Sequence, residues 1–475
     1  MTNRLILNND YSYLETEDKV LKNKLWSVLR FREENYFHSR AYKQRLWDGY
    51  REFFDKDNGK FLTGLLPEVV YYIKALDKKI DLIDNRGKVD WIYPSINEKF
   101  LNQWLPKGKN KIDLYDFQTH FVNQFIKLNR GIIQSPTASG KSNIFLSLIK
   151  CLPPKTPTLF LTKRKSLVNQ TYNNLMEWGI PGVGRYYGTF KEPNIITCAN
   201  INPSTVTGLK KLFPHIKALF VDEIHEGMSP TGIKIYSKLK NASIRCAISA
   251  TAFKFGGKDK VQKFRVKGFF GPIINGPDKQ ILTTKKLQER NILSKSKATF
   301  YLIDKPSDII YEPYADAVKL GIENNIYFHD VVKRLSSKLN GRTLIVTERI
   351  DQGKMLKSLI PEAHWIYGEI DLEEREKVFE ELRKKDKVVA IVMQQIITAG
   401  IDVFIHNLIN AAGSKAEHNI IQRMGRGLRL APDKEYLDYY DFYFNTNKYL
   451  TNHSEKRIKV LTNEGHDVEV KDIDF

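Results

Sequence analysis

The sequence predicts an α/β protein in which two domains, each built on a parallel β-sheet, follow a small α+β domain at the N terminus. Three observations carry this prediction. Short, almost wholly apolar runs alternate with helical patterns after residue 111, as expected for parallel strands covered on both faces. The same alternation then occurs a second time. Residues 105–111 are polar, contain Pro and Gly, and predict a linker that separates this region from a mixed N-terminal segment.

The chain has 475 residues, enough for roughly three domains of about 150 residues each. We therefore predict a small domain over 1–110, a first parallel-sheet domain over 111–290 and a second over 291–475. A hydrophobic content of 42% allows each domain a buried core and excludes a disordered or collagen-like chain.

The predicted strands are the apolar runs themselves. In the first parallel-sheet domain they span 158–162, 218–221 and 246–249, and in the second they span 343–347, 388–393 and 407–411. The aromatic run 439–444 predicts a further strand that closes the second sheet.

Positive charge is concentrated in the middle of the chain. The formal net charge is +20, and residues 111–290 hold 28 basic and 10 acidic residues, a net +18. Residues 1–110 contribute +4 (20 basic, 16 acidic), and residues 291–475 contribute −2 (27 basic, 29 acidic). Such asymmetry favours a polyanionic partner, with nucleic acid as the leading candidate, although charge alone does not exclude a membrane surface.

Cysteine content and hydropathy bear on the compartment. The three cysteines, Cys151, Cys198 and Cys246, are far apart and form no CxxC pair, which disfavours a disulfide scaffold and a cysteine zinc site. No apolar run approaches the roughly 18 to 20 residues that span a bilayer, and residues 1–10 lack the long apolar stretch of a signal peptide. We expect a cytoplasmic protein without a membrane partner (the host cytoplasm, if a phage encodes it).

The segment 131–142 predicts a phosphate-binding loop. A short strand leads into a loop of small residues, and the loop opens a helix with an apolar stripe. Lys141 is placed to reach the β and γ phosphates of ATP, and the Ser142 hydroxyl to bind Mg²⁺. The GxxxxGK[ST] pattern fails at its first position, Ser135, and the alternative is a chance Gly-Lys-Ser on a surface loop. The predicted nucleotide-binding residues here are Pro136, Thr137, Ala138, Ser139, Gly140, Lys141 and Ser142.

A second apolar run, 218–221, ends in adjacent carboxylates 81 residues after Lys141 (222 − 141). Asp222 is predicted to hold the Mg²⁺ that bridges the phosphates, and Glu223 to polarise the attacking water. Phosphate-loop folds bring both motifs to the carboxyl edge of one sheet. His225 follows closely, but a histidine in this position is more often structural than functional.

These motifs resemble the superfamily-two helicases of the DExH type, whose domains are RecA-like, and further motifs occur in the family's order. The resemblance implies that Gln118, in 115–118, belongs to a Q motif that reads adenine. It implies that Thr162 and Lys163 face a nucleic-acid backbone, as Thr197 would in a looser match. It also implies that 249–251 couples the ATP site to the nucleic-acid track.

The second domain continues the resemblance. Residues 398–402 resemble the motif in which Gly400 and Asp402 lie near the nucleotide and Thr398 near the nucleic acid. Residues 422–429 fit the family's QxxGRxxR pattern, which implies catalytic roles for Gln422, Arg426 and Arg429. The physical reason for the arginines is that guanidinium groups match the negative charge that phosphoryl transfer spreads over oxygens. A solvated basic helix face is the alternative.

Within the superfamily the resemblance is to the phage UvsW-type recombination and repair helicases, with XPB and RecG more distant. It implies an ATP-driven, monomeric motor that remodels branched or duplex DNA by branch migration, fork or R-loop remodelling, or unwinding and reannealing. It also implies DNA binding by the N-terminal domain. There the aromatics Tyr42, Trp47, Tyr50 and Phe53 could stack on bases or form a small core. The basic run over 254–267 could contact phosphates or be a solvated loop.

Three rival functions remain open on the sequence alone. An RNA helicase would show the same motor motifs, because backbone contacts carry little information about the sugar. The translocating subunit of a restriction or remodelling complex would share the motor but needs a nuclease, for which no constellation is evident. A binding module with a decayed ATPase is disfavoured, because Lys141, Asp222 and Glu223 are all present.

Overall fold

The computed structural model describes residues 3–250, 259–398, 404–413, 425, 427, 428, 434 and 436–475. The chain divides into two compact units. One comprises Met1–Ser135 and Gly140–Ile281, and the other comprises Leu282–Phe475 together with Pro136–Ser139.

The N-terminal residues of the first unit form a small sheet of their own. Its strand order is β5-β2-β1-β6, with β1 antiparallel to β2 and parallel to β6, and a separate two-stranded hairpin joins β3 to β4. Leucine, valine, isoleucine and phenylalanine side chains from the sheet and helices fill a core beneath it. The strands are β1 (Arg4–Leu7), β2 (Tyr11–Glu15), β3 (Arg30–Arg32), β4 (Tyr50–Glu52), β5 (Lys60–Leu62) and β6 (Asp81–Asp84). The helices are α1 (Lys19–Val28), α2 (Arg40–Lys43) and α3 (Leu66–Ala75), with 3₁₀ turns at Tyr36–His38, Thr63–Leu65 and Phe100–Trp104.

The first unit continues into an eight-stranded sheet of order β10-β9-β11-β8-β12-β13-β7-β14, in which β10 alone is antiparallel to its neighbour. Its central strands are buried along almost their whole length, as helices on both faces require. The strands are β7 (Arg130–Gln134), β8 (Thr158–Thr162), β9 (Val183–Tyr187), β10 (Phe190–Glu192), β11 (Ile196–Asn200), β12 (Ala218–Asp222), β13 (Ile244–Ser249) and β14 (Ile273–Ile274).

Helices follow these strands and begin where local chemistry favours a helix start. The α9 helix, for example, has Pro at its first turn and the Ser229 hydroxyl as its N-cap. The helices are α4 (Asp116–Leu128), α5 (Lys141–Cys151), α6 (Lys165–Glu177), α7 (Pro203–Gly208), α8 (Ile224–Gly227), α9 (Pro230–Tyr236) and α10 (Lys260–Phe270), with a 3₁₀ turn at Phe213–His215.

The N-terminal elements of the first unit make specific contacts to α10. The Phe31 ring of β3 lies 4.4 Å from the Phe264 ring, and Glu68 of α3 accepts a hydrogen bond from Lys267 at 2.5 Å. Part of the basic run over 254–267 is therefore a helix that supports the N-terminal domain. Lys254 and Lys258 of that run lie outside the described residues.

The second unit contains a seven-stranded sheet of order β17-β18-β16-β19-β20-β15-β21, whose described strand pairs are all parallel. The strands are β15 (Lys295–Ile303), β16 (Arg342–Thr347), β17 (His364–Ile366), β18 (Val388–Met393), β19 (Asn407–Asn410), β20 (Tyr436–Phe444) and β21 (Asp467–Lys471). The helices are α11 (Thr284–Glu289), α12 (Tyr314–Val318), α13 (Ile326–Lys338), α14 (Ile350–Leu359), α15 (Leu372–Lys384), α16 (Gln394–Thr398) and α17 (Lys448–Asn463), with a π-helical turn at Lys319–Glu323.

The predicted fold class, two parallel-sheet domains after a small α+β segment, is confirmed. All seven predicted strands are present; 158–162 and 388–393 match β8 and β18 residue for residue. The division at 110/111 and 290/291 stays a prediction, and α11 lies in the second unit, where the Thr284 hydroxyl donates to Glu464 at 3.1 Å. Among the described helices none is long and apolar enough to cross a membrane.

Candidate nucleotide-binding site

The loop between β7 and α5 has the backbone of an anion cradle. Helix α5 begins at Lys141, and its N-cap, Gly140, has no side chain with which to cap the first turn. No acidic residue lies in that turn either. The N–H groups at a helix N terminus and the helix dipole together favour a bound phosphate at this end of the helix.

Gly140 is fixed by its conformation and by its neighbour. Its φ of +79° is left-handed, and a Cβ atom there would lie 2.3 Å from the Gln118 side-chain nitrogen. Gln118 is buried; its Oε1 accepts from the Tyr115 N–H at 2.9 Å and its Nε2 donates to the Gly140 carbonyl at 3.4 Å. The residue that the sequence assigns to adenine thus also contacts the start of α5.

Glu223 is the centre of a buried polar cluster. It follows β12 with a left-handed φ of +51°, an uncommon conformation for this residue type that tends to occur at functional sites. Its Oε2 accepts a hydrogen bond from the Ser249 hydroxyl at 2.8 Å and lies 3.3 Å from His225 Nδ1. Its Oε1 lies 3.9 Å from the Lys141 ammonium group. One carboxylate therefore joins the loop lysine, the end of β12 and the end of β13.

The cluster keeps Glu223 ionised. Burial alone would raise the pKa of this carboxyl, but Lys141, His225 and the Ser249 hydrogen bond outweigh burial and lower it. Burial also lowers the pKa of His225, against the opposing effect of Glu223. Among the partners that lower the pKa of Glu223, the Lys141 ammonium group has the largest effect. A buried, ionised carboxylate of this kind can accept a proton from water.

Asp222 and Ser142 are the two residues that could hold a metal ion. Asp222 ends β12 and is partly exposed, with Oδ1 accepting from the Glu223 N–H at 3.0 Å, and Ser142 is exposed in the first turn of α5. Carboxylate and hydroxyl oxygens are ligands suited to Mg²⁺ when phosphate oxygens complete the shell.

The loop itself also fits a nucleotide. The Thr137 hydroxyl is buried and has no hydrogen-bond partner among the described residues, which is costly unless a ligand supplies one. Between Pro136 and Ser139 the loop is held by its own bond, in which the Ser139 hydroxyl donates to the Pro136 carbonyl at 2.7 Å. When ATP binds, Lys141 and the N–H groups at the start of α5 would hold its phosphates, with Glu223 beside the water that attacks.

The predicted nucleic-acid contacts divide into exposed and buried residues. Lys163 is exposed after β8. Thr162, the last residue of that strand, is fully buried, and its hydroxyl has no hydrogen-bond partner among the described residues. Thr197 is also fully buried, and its hydroxyl donates to the Asn194 carbonyl at 2.7 Å. Thr197 is therefore engaged in a turn inside the sheet, which argues against direct contact with a nucleic acid.

Several predicted residues of the second unit lie outside the described residues. Thr398 ends α16, but its side chain is among those not described. The others are Gly400, Asp402, Gln422, Arg426 and Arg429, whose predicted roles stay predictions.

The sequence alone missed a contact that links two motifs. Arg164, just before α6, makes a two-pronged ion pair with Glu226 of α8, with its Nε 3.1 Å from one carboxylate oxygen. Arg164 adjoins the predicted site residue Lys163, and Glu226 lies three residues after Glu223, so charge of opposite sign at the ends of neighbouring strands was the available signal. The pair ties the segment after β8 to the segment that carries Glu223.

The phosphate loop, the paired carboxylates and the parallel sheet define a phosphate-loop nucleotide hydrolase. Comparisons with known proteins narrow this class. Residues 111–254 match the family model described as type III restriction enzyme, res subunit, and residues 327–431 match the helicase conserved C-terminal domain. The chain belongs to the superfamily-two helicases, with two RecA-like domains, and hydrolyses ATP.

Individual relatives are distant. The chain is 23% identical over 373 residues to "DNA 3'-5' translocase XPB2" of Sulfurisphaera tokodaii, covering 70% of this chain and 82% of the relative. Among solved structures it is similar to a fragment of a putative HsdR subunit of a type I restriction enzyme from Vibrio vulnificus. That likeness has a TM-score of 0.53 and 15% identity, and it covers 75% of this chain and 68% of the other. The structure of phage T4 UvsW is 17% identical to this chain, with a TM-score of 0.48. The match covers 100% of this chain and 99% of the UvsW chain.

Proposed function

We propose that the protein is an ATP-dependent DNA translocase or helicase that remodels branched or duplex DNA, by branch migration, fork or R-loop remodelling, or unwinding and reannealing. The observation that carries the proposal is the net +18 of residues 111–290, the segment that also holds the ATP site. Charge placed beside the motor site supplies the phosphate contacts on which nucleic-acid affinity chiefly rests. The relative named as a DNA translocase supports DNA over RNA.

The test is an ATPase assay run in parallel with single-stranded DNA, blunt duplex, a four-way junction and RNA. We expect DNA to stimulate turnover, the junction most strongly, and the stimulation to fall steeply with salt. Equal stimulation by RNA and DNA would contradict the DNA assignment, and no stimulation by any of them would contradict the motor function.

The translocating subunit of a restriction complex is the second candidate, because the model matched by residues 111–254 carries that description. The same assay separates the two. A branch-remodelling motor responds to junction structure in a DNA of any sequence, whereas a restriction translocase requires its recognition sequence and its partner subunits.

Replacement of Lys141 by Ala is expected to abolish ATP turnover, with a loss of at least about 100-fold, while DNA binding persists. The physical reason is that the variant loses the ammonium group beside the phosphates and beside Glu223. ATPase rate and DNA affinity, measured on the same preparation, check this. Lys150→Ala is the matched control, since Lys150 is on the same helix but donates to the Trp178 carbonyl. Equal loss in both variants would refute the site.

Replacement of Arg429 by Ala is expected to lower kcat by about a thousandfold and to change ATP affinity little. A guanidinium group that acts on the transition state contributes to turnover rather than to ground-state binding. Arg349→Ala is the control, because its exposed side chain pairs with Glu323 at the surface of the same unit. Loss of ATP binding without loss of kcat would contradict the catalytic role.

A further inference from the structure

The connection between β3 and β4, residues 33–49, is an ordered projection, and we call it the basic loop. Its ends are joined by the Glu33 N–H donating to the Gly49 carbonyl at 2.8 Å. A 3₁₀ turn and α2 fill its length, and the Leu46 N–H closes α2 on the Ala41 carbonyl at 2.9 Å. Gly49 has a φ of +84° and lies against the Tyr36 ring, which leaves no room for a Cβ. The side chains that the loop exposes are therefore presented by a folded segment.

The charge of the basic loop is uncompensated along its outer part. Between residues 35 and 47 the chain carries Arg40, Lys43 and Arg45 and no carboxylate. All three are exposed, and among the described residues no carboxylate lies within ion-pair distance of them. Arg30, at the base of the hairpin, differs from them because it pairs with Asp48 and Glu52.

The aromatic residues that the sequence singled out here are already engaged. Tyr50 lies between the guanidinium groups of Arg30 and Arg32, at 4.2 and 4.8 Å from its ring centre. The Arg51 guanidinium group lies 4.7 Å from the centre of the Trp47 ring, and the centres of the Phe53 and Phe264 rings are 5.9 Å apart. These rings hold the hairpin together and fix it on α10, so they are not the surface that a base would use.

Two other apolar side chains are exposed beside the free cations. Phe37 is 50% exposed and Leu46 is 78% exposed, on the same segment as Arg40, Lys43 and Arg45. A flat ring and an apolar tip on one short loop with unpaired cations match a nucleotide, whose base has an apolar face and whose phosphate is anionic. Base faces are accessible where bases are unpaired and unstacked, in single strands and at branch points.

We propose that the basic loop binds unpaired DNA, with Phe37 and Leu46 against base faces and Arg40, Lys43 and Arg45 on the phosphates. The proposal rests on the function proposed above and adds to it a second contact site outside the motor sheet. An anionic membrane also attracts cations beside apolar side chains. However, α2 has four residues and the loop exposes two large apolar side chains, far less than a membrane-bound amphipathic helix offers.

The test compares full-length variants by fluorescence anisotropy with labelled oligothymidylate, a forked duplex and a blunt duplex. The double variant Phe37→Ala/Leu46→Ala should bind the single strand and the fork about tenfold more weakly or worse, and the blunt duplex unchanged. The single variant Phe37→Trp, which keeps an aromatic ring and the native Leu46, should bind the single strand and the fork as the parent protein does. Tyr71→Ala is the matched control, since Tyr71 is 66% exposed in the same domain. Circular dichroism verifies that each variant is folded.

Charge is tested separately. Arg40→Gln/Lys43→Gln/Arg45→Gln should weaken binding to all three DNAs and lower the salt slope of single-strand binding by about two. The control variant Lys79→Gln/Lys88→Gln/Lys99→Gln removes the same charge from exposed positions within residues 1–110 but outside the basic loop. It should leave the salt slope unchanged.

Three outcomes would overturn the proposal. The first is an unaltered single-strand affinity in the double variant, and the second is an equal loss of affinity for the blunt duplex in that variant. The third is that either set of variants loses binding to phosphatidylserine vesicles while its DNA binding is intact. Failure here is distinct from failure of the motor. If the parent protein shows DNA-stimulated ATPase activity while the variants bind DNA as it does, only the basic loop is wrongly assigned.

Discussion

Replacement of Glu223 by Gln is expected to lower ATP turnover by about 10²- to 10⁴-fold, the range that a positioned general base contributes. The amide keeps the size of the side chain and can still bond to the Ser249 hydroxyl, but it cannot take a proton from water. ATP binding should persist, because Lys141 and the N–H groups of α5 are unchanged. Single-turnover hydrolysis and equilibrium binding of ATP, measured in parallel, separate the two effects.

Glu226→Gln is the matched control for that variant. Glu226 lies three residues further along the chain and pairs with Arg164 rather than with Lys141, so its loss should lower turnover less than tenfold. If the two variants were equally impaired, the effect would come from the fold of the segment and not from Glu223 as the base.

The hydrogen bond from Ser249 gives the same site a pH signature. It is one of the causes that lower the pKa of Glu223, so Ser249→Ala should raise that pKa. Glu223 acts when ionised, and turnover should therefore be lost at a higher pH in the variant than in the parent as pH falls. A kcat profile on the acid side measures the shift; profiles that coincide would show that Ser249 does not control the carboxylate.

The sequence predicted elements whose signal is local. Strands β8, β12 and β18 are continuous apolar runs because they are buried on both faces, and no partner information is needed to recognise them. The phosphate loop and Asp222–Glu223 are likewise local, and their meeting at one sheet edge follows from parallel topology.

What the sequence could not supply depends on contacts between distant segments. Motif order assigns Thr162 and Thr197 to contacts with a nucleic acid, but it carries no information on whether a side chain points into the core. Both side chains are buried. In the N-terminal domain, composition identified an aromatic and basic region, but only packing shows that Trp47 and Tyr50 are covered by arginines and Phe37 is not. Exposure is a property of the assembled chain, so the candidate binding surface contains Phe37 rather than Trp47 and Tyr50.

The second unit contains a buried ion pair whose role is also visible only in three dimensions. Arg457 of α17 and Asp441 of β20 are both fully buried, with Nε 3.1 Å from the carboxylate. Asn410 and the Tyr439 hydroxyl each donate to Asp441 Oδ2 at 2.7 Å, and Arg457 donates to the carbonyls of Gly413 and Phe442. The pair thus has several hydrogen bonds besides its own, which offset part of the cost of removing two charges from water.

Breaking this pair should therefore destabilise the second unit strongly. We expect Arg457→Met to lower its free energy of unfolding by about 3–5 kcal/mol, because Asp441 is left buried without a counter-charge. Differential scanning calorimetry should show the transition of the second unit lowered by about 6–20 °C. The transition of the first unit serves as an internal control.

Adding Asp441→Leu to Arg457→Met should recover much of the lost stability, since an apolar pair removes the unpaired charge. A double variant no more stable than the single one would show that the hydrogen bonds to Gly413 and Phe442, rather than the ion pair, hold α17 on the sheet.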